Sequence, residues 1–218
     1  MTETTEAIIL HATKYGDGKF MLNAYSRRLG RTSFALSIPA AKNRPSPLPC
    51  CQPLFQNEIE YAGGDSLVKR VKSISPSYNY VTIPKSPVKT SVVMFLSEVL
   101  LKTLTYPECN PDLYGFISTS LKILDDKNFK GRNFHLKFLL QFLKYSGFYP
   151  ADGIKGCSAE HSKIFSALLG GGFLECEEIE LNGSGRSLLL EKILDCYRCN
   201  FPAFKEIKSL EILKTVFH

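Results

Sequence analysis

The residues best suited to chemistry in this sequence are basic side chains interleaved with aromatic ones near its start. Between positions 14 and 44, seven basic residues stand against the single acid Asp17, so this segment alone accounts for the net charge of +6. Cations that bind phosphates and aromatic rings that stack on bases hold single-stranded nucleic acid in many proteins. We therefore expect such contacts from eight residues: Lys14, Tyr15, Arg27, Arg28, Arg31, Phe34, Lys42 and Arg44.

Two simpler interpretations compete with nucleic-acid contact in this segment. The basic side chains would then form a solvated charged face. The aromatic side chains, Tyr25 and Phe34 above all, would fill a hydrophobic core instead of stacking on bases.

A second basic cluster surrounds a later stretch with helical periodicity. Lys130, Arg132 and Lys137 lie there, next to apolar residues at helical spacing. We expect these three cations to contact DNA or the acidic tail of a partner protein. The alternative is that they are only the polar side of an amphipathic helix.

Cysteine and histidine suggest two further kinds of site. The pair Cys196 and Cys199 lacks the second pair that a structural zinc site needs, so we predict no metal. Cys157 lies four residues before His161 and would be the nucleophile of a hydrolase with His161 as its base. No third residue that would orient the histidine is evident, so we predict no catalysis and no cofactor.

The elements that must position these residues form two regions, one with strand patterns and one with helical patterns. Five short stretches with strand patterns occupy residues 6–12, 20–25, 31–38, 54–61 and 67–74. Five strands within so short a segment suit a small closed barrel, which leaves no sheet edge exposed. Four prolines make 40–53 a loop rather than a strand or helix, and this loop carries Lys42 and Arg44.

Helical patterns fill the rest of the chain after a linker at 83–87. Ser86 would cap the first helix and Pro87 would begin it. Further helices are expected at 113–124, 133–145, 158–169, 187–201 and 207–216. Asp125 and Asp126 would form a solvated cap at a helix end. Strands followed by helices predict an α+β chain with a barrel domain at 1–83 and a helical domain at 84–218.

The sequence offers no segment suited to a membrane. No apolar run approaches the roughly 20 residues that a transmembrane helix needs. The start of the chain is polar and acidic, unlike a secretory signal. We therefore expect a cytoplasmic protein with reduced cysteines.

Several motifs, in order and spacing, resemble the family of the bacterial DNA repair protein RecO. They cover nearly the whole chain and include Lys14-Tyr15-Gly16-Asp17, Tyr25-Ser26-Arg27-Arg28-Leu29-Gly30-Arg31, Gly147-Phe148-Tyr149-Pro150 and Phe201-Pro202-Ala203-Phe204-Lys205. The resemblance implies an OB-fold barrel followed by an all-helical C-terminal domain.

The resemblance also implies a function in DNA recombination after DNA damage. Proteins of this family bind single- and double-stranded DNA and anneal complementary strands coated with single-strand-binding protein (SSB). With RecR they load RecA, they need no nucleotide, and they work at the nucleoid. Many relatives carry a four-cysteine zinc finger where only Cys157 and Cys176 remain here, which again predicts no zinc. The alternative is a protein–protein adaptor whose barrel binds no DNA.

Overall fold

The computed structural model describes residues 1–38, 46–148 and 158–217. They form two compact units. One consists of Met1–Tyr80 with Ser97–Ser118, and the other of Val81–Leu96 with the residues from Thr119 onward. The predicted α+β class, a five-stranded barrel followed by helices, is confirmed.

The first unit is built on a closed barrel. Its strands are β1 (Thr2–Gly16), β2 (Lys19–Ser26), β3 (Gly30–Ser37), β4 (Gln56–Ala62) and β5 (Val68–Pro76). They close in the order β1-β2-β3-β5-β4. All neighbours are antiparallel except β3 and β5, which are parallel. This is an OB-like arrangement, in which every strand is hydrogen-bonded on both sides.

Alternation along the strands separates the barrel core from its outer side. On β3, Phe34 and Leu36 point inward, while the residues that alternate with the inward ones, Arg31, Ser33 and Ala35, lie on the outside. Successive side chains of a strand point to opposite faces, so this pattern fixes which residues can meet a ligand. The Phe34 ring packs edge-on against Tyr61 at 5.8 Å between centroids.

Strand β1 is longer than its predicted span of 6–12. Its first half pairs with β4 and its second half with β2, and its register with β2 shifts between Ile9 and His11 and between Lys14 and Gly16. The polar start, Thr2 to Thr5, has no alternation of apolar residues and is strand only because β4 pairs with it.

Helices make up most of the second unit and complete the first. They are α1 (Pro87–Thr103), α2 (Pro111–Leu124), α3 (Phe134–Tyr145), α4 (Ala159–Gly170), α5 (Phe173–Glu177), α6 (Gly183–Asn200) and α7 (Leu210–Phe217). Short 3-10 turns lie at Leu48–Cys51 and Ile83–Lys85. Helix α6 begins four residues before its predicted start because Asn182 Oδ1 accepts a hydrogen bond from Gly185 N at 2.7 Å and caps it.

Helix α3 is the buried centre of the second unit, and this overturns one prediction. Lys137 is 2 % exposed, and its Nζ donates to the carbonyls of Leu168 and Leu169 at 3.0 and 3.1 Å. The ammonium thus satisfies carbonyls at the end of α4, where a helix leaves acceptors unpaired. The prediction that Lys137 contacts DNA or an acidic tail is wrong.

His135 is also buried on α3. Its ring lies 4.9 Å from that of Phe217 and 6.4 Å from that of Phe95, centroid to centroid. Burial, with a smaller contribution from the charge of Arg186, lowers the pKa of His135 to about 3. The imidazole is therefore neutral at physiological pH.

Asp125 is not the solvated cap expected from the sequence. Its carboxylate accepts backbone hydrogen bonds from Val81, Thr82 and Ile83 at 2.9, 2.8 and 2.8 Å, and it is 4 % exposed. Burial by itself would raise the pKa of Asp125, but these three N–H donors hold it below its usual value. Asp125 thus fixes the chain that leads into α1.

Neither a membrane-spanning helix nor a metal-binding group of side chains occurs among the described residues. None of their helices is long and apolar enough to cross a bilayer. Within the same ranges, no three His, Cys, Asp or Glu side chains come together as a group that could hold a metal ion.

Candidate nucleic-acid interface

The outward side of β2, β3 and β5 carries cations and no carboxylate. Its residues, which we call the basic face, are Lys19, Met21, Asn23, Arg31, Ser33, Ala35, Ser37, Val68 and Arg70. Register brings them together: Lys19 lies opposite Ser37, and Arg70 lies beside Ala35. In OB-type barrels the face around strands two and three, with the loops that flank it, is where oligonucleotides bind.

Arg31 is the most constrained cation of the basic face. Its side chain is half-buried, and Nη2 donates to Asn23 Oδ1 at 3.3 Å. Nη1 is buried and has no hydrogen-bond partner among the described residues. Burial lowers the pKa of the guanidinium, although an arginine keeps its charge. A buried donor without an acceptor is costly to the folded state.

The last residues of β1 include two predicted contacts, which lie at one end of the basic face. Lys14 and Tyr15 are exposed there, Tyr15 to 54 %. Gly16 pairs with Lys19, so the turn continues directly into β2. Gly18 has φ +62° and lies so close to the Ile38 carbonyl that a side chain would collide with it.

Arg27 and Arg28 lie at the other end of β2 and turn away from the basic face. Arg27 Nη1 pairs with Glu6 Oε2 at 2.8 Å, and Arg28 Nη1 donates to the Thr4 carbonyl at 3.2 Å. Lys14 lies opposite Phe20 on β2, and the seven residue steps from Phe20 to Arg27 span roughly 24 Å, at about 3.4 Å per residue. The predicted contacts therefore do not form one patch.

The neighbouring outer side of β1 and β4 has the opposite charge. Glu6 lies directly opposite Glu58, and Glu60 follows on the same side of β4. Arg27 therefore partly neutralises a pair of like charges that would repel each other across the two strands.

Other predicted barrel contacts have different outcomes. Phe34 is 0 % exposed in the barrel core, so the prediction that it stacks on a base is wrong. Lys42 and Arg44 lie outside the described residues. Sequence reasoning left Lys19 and Arg70 out of the site. The hairpin register would have found Lys19, but the place of Arg70 depends on the pairing of β5 with β3, which no local pattern reveals.

Lys130 lines a groove of the second unit. This groove, the basic groove, has a volume of about 490 Å³ and is lined by Val81, Thr82, Lys85, Ser86, Val88, Lys89, Lys127, Phe129 and Lys130. Among the described residues, no carboxylate lines it. Lys89 is held by Thr82 Oγ1 and the Asp126 carbonyl at 2.8 and 2.7 Å. The remaining lysines are exposed, so the groove combines cations with an apolar floor.

Arg132 and the proposed hydrolase pair lie elsewhere. Arg132 lines two cavities outside the basic groove, one with Glu160, His161 and Glu180 and one that it shares with Lys130, Glu177 and Glu178. Acidic side chains offset its charge in both. His161 Nδ1 lies 2.8 Å from Ser158 Oγ, the cap of α4. Cys157, the expected nucleophile, lies outside the described residues.

Comparison with known proteins identifies the family. The family model described as Recombination protein O C terminal matches residues 84–152. The DNA repair protein RecO of Phocaeicola vulgatus is 31 % identical over 241 aligned positions that cover all of both chains. Those of Bacteroides fragilis and Christiangramia forsetii are 28 and 29 % identical, over 100 and 98 % of each chain. With this similarity running through barrel and helices alike, the chain belongs to the RecO family of DNA repair proteins.

Proposed function

We propose that this protein is a DNA-binding recombination mediator rather than an enzyme. It binds single- and double-stranded DNA, anneals complementary strands coated with SSB and, with RecR, helps to load RecA at the nucleoid. The observation that carries the proposal is the basic face, a row of cations without a carboxylate on the outer side of an OB-like barrel. Membership of the RecO family supports the role in repair.

The basic face would bind the phosphate backbone. Lys19, Arg31 and Arg70 supply the charge, and the polar or small residues between them let a strand approach closely. Lys14 and Tyr15 extend the contact at one end. Arg27 and Arg28 contribute less, because Glu6 and the Thr4 carbonyl already engage their guanidinium groups.

Salt dependence of binding tests this assignment. Each phosphate contact adds about 0.7 to the slope of log K against log salt for single strands. Changing Lys19, Arg31 and Arg70 together to Ala should therefore lower that slope by about 2, measured by fluorescence anisotropy of a labelled oligonucleotide. The matched control is the double change of Arg27 and Arg28 to Ala.

Two outcomes would contradict the proposal. One is a wild-type affinity that does not change with salt, which would favour an adaptor with a barrel that contacts no DNA. The other is a larger loss of slope in the control than in the basic-face variant. Annealing is tested separately with complementary strands coated with SSB, and we expect acceleration without any nucleotide.

The basic groove is the surface that we propose for the acidic tail of SSB. Its exposed lysines Lys85, Lys127 and Lys130 match acidic side chains, and Val81 and Phe129 offer apolar contact. A labelled peptide of that tail should bind the wild type and lose about tenfold in affinity when Lys127 and Lys130 become Ala, as expected for two charge-assisted contacts. Equal binding by this variant would rule the groove out.

A further inference from the structure

The last turn of α6 carries two thiols that the proposed function does not use. Cys196 is half-buried, Cys199 is exposed, and both are free thiols. Residues three positions apart in a helix lie on the same side of it, so these two side chains are neighbours. A pair of adjacent thiols on a protein surface can act together on one ligand.

Hydrogen bonds hold this turn in helical form. The side-chain amide of Asn200 donates to the Cys196 carbonyl at 2.7 Å. Phe201 N donates to the Tyr197 carbonyl at 2.9 Å. Tyr197 is buried, and its hydroxyl donates to the Leu139 carbonyl at 2.8 Å. The backbone that carries the two thiols is therefore fixed before any ligand binds, which favours binding.

The helical spacing suits a bridging ion better than a disulfide. Cβ atoms three residues apart in a helix are about 5–6 Å from each other, whereas a disulfide needs about 3.5–4.5 Å between them. Closing a disulfide would therefore unwind the turn and break the hydrogen bonds that hold it. A metal–thiolate bond is about 2.3 Å long for zinc, so one ion can join two sulfur atoms that are as much as about 4.6 Å apart.

The number of available ligands selects the kind of ion. Among the residues that the structure describes, no third His, Cys, Asp or Glu side chain completes a metal-binding group with this pair. A structural zinc ion takes four ligands. Cu(I) is a soft ion that prefers thiolates, and as a monovalent ion with a filled d shell it is stable between two of them.

A cation on the same side of α6 balances the charge of such a complex. Lys192 lies four residues before Cys196, one turn earlier, and is half-buried. Two thiolates with one monovalent ion have a net charge of −1, which one ammonium group offsets. Asp195 is also close, but its carboxylate pairs with Arg198 at 2.6 Å, which reduces its opposing charge.

We propose that Cys196 and Cys199 form a two-coordinate site for the soft ion Cu(I) on the second unit. Each thiol releases its proton to solvent as its sulfur binds the ion, and no electron is transferred. The prediction from the sequence that this pair binds no metal rested on the four ligands of zinc, and it does not apply to an ion that needs two. The inference is independent of the proposed function.

The test titrates the reduced full chain, under exclusion of oxygen, with Cu(I) held by a coloured competing chelator. Wild type should bind one ion tightly per chain. Cys199→Ser should lower the affinity by about a hundredfold, because the second thiolate of a pair binds intramolecularly. Lys192→Gln should lower it by about threefold, as expected for one exposed charge pair.

A matched control and a second readout locate the ion. Cys109→Ser removes an exposed thiol of the other unit and should bind Cu(I) as wild type does. Wild type loaded with one equivalent of Cu(I) should resist alkylation at Cys196 and Cys199 while Cys109 reacts, as measured by peptide mass. Thermal melting checks that all variants remain folded.

Three outcomes would overturn the site. The first is an equal affinity of Cys199→Ser and wild type. The second is alkylation of both cysteines in the loaded wild type. The third is one ion for every two chains with a doubled molecular mass, because the ligands would then come from two copies of the chain.

Discussion

The buried imidazole of His135 should make this protein lose stability steeply in mild acid. The folded state holds His135 neutral, with a pKa of about 3, whereas an unfolded chain protonates histidine near 6.5. Below pH 6.5 the unfolded state binds a proton at His135, and the folded state does not. The stability contribution is therefore fully present above 6.5 and is lost as the pH falls towards 3.

The size of this loss follows from the two pKa values. Each pH unit below 6.5 costs about 1.4 kcal/mol, so unfolding should become easier by about 2 kcal/mol between pH 7.5 and pH 5.0. Urea unfolding followed by far-UV circular dichroism measures it, since the chain has no tryptophan. With an m-value of about 2 kcal/mol/M, the midpoint should fall by about 1 M.

A matched pair of variants isolates the histidine. His135→Leu has no group to protonate, and because His135 Nδ1 has no hydrogen-bond partner in the described structure, the change breaks no bond at that atom. It should remove about 2 kcal/mol of the acid sensitivity. His161→Gln, at a half-exposed position of the same unit, should keep it. An acid sensitivity of equal size in His135→Leu would refute the reasoning.

Three further predictions concern positions that the structure explains. Asp125→Ala leaves three backbone N–H groups without their acceptor and should destabilise the protein by roughly 2–4 kcal/mol in thermal melts, with Asp125→Asn costing less. Lys137→Ala should lower the free energy of unfolding by about 2 kcal/mol yet leave the salt slope of DNA binding unchanged. A lower salt slope in this variant would indicate a DNA contact at Lys137 and contradict the prediction. Gly30→Ala should destabilise the barrel unit, because Gly30 has φ +64° and a Cβ would lie 2.2 Å from the Glu108 carbonyl oxygen; a melting temperature equal to wild type would count against this.

The elements of the fold could be predicted from local patterns. Phe34 and Leu36 alternate with polar residues and mark a strand whose inner side fills a core. Ser86 and Asn182 have side chains that accept backbone hydrogen bonds at helix starts, although only Ser86 is predicted as a cap from the sequence. These signals lie within a few residues of the structure they specify, so one sequence is enough to find them.

The site could be predicted only in part, because its geometry depends on contacts between residues that are far apart in the sequence. Arg27 and Arg31 are four residues apart in the chain, but Glu6, 21 residues earlier, draws Arg27 away from the basic face. Arg70 joins that face only through the pairing of β5 with β3. The backbone N–H groups that donate to Asp125 lie more than 40 residues earlier in the chain.

The burial of Lys137 could not be predicted from the sequence for a different reason. Its position on a helix with an apolar stripe predicts a polar outer side, yet α3 is buried almost all round. A lysine can occupy such a place only where carbonyls receive its charge, and the end of α4 supplies them. Which helix end lies next to Lys137 is a property of tertiary packing that the sequence pattern of α3 does not contain.

The separation of charge around the barrel has a kinetic consequence. Cations occupy the outer side of β2, β3 and β5, and Glu6, Glu58 and Glu60 occupy that of β1 and β4. The barrel unit is thus an electric dipole, and a polyanion exerts a torque that turns its positive side forward before contact. Fewer encounters are wasted in the wrong orientation, so association is faster than net charge alone would give. Dissolved ions weaken this rotation over a distance of about 10 Å at 0.1 M salt.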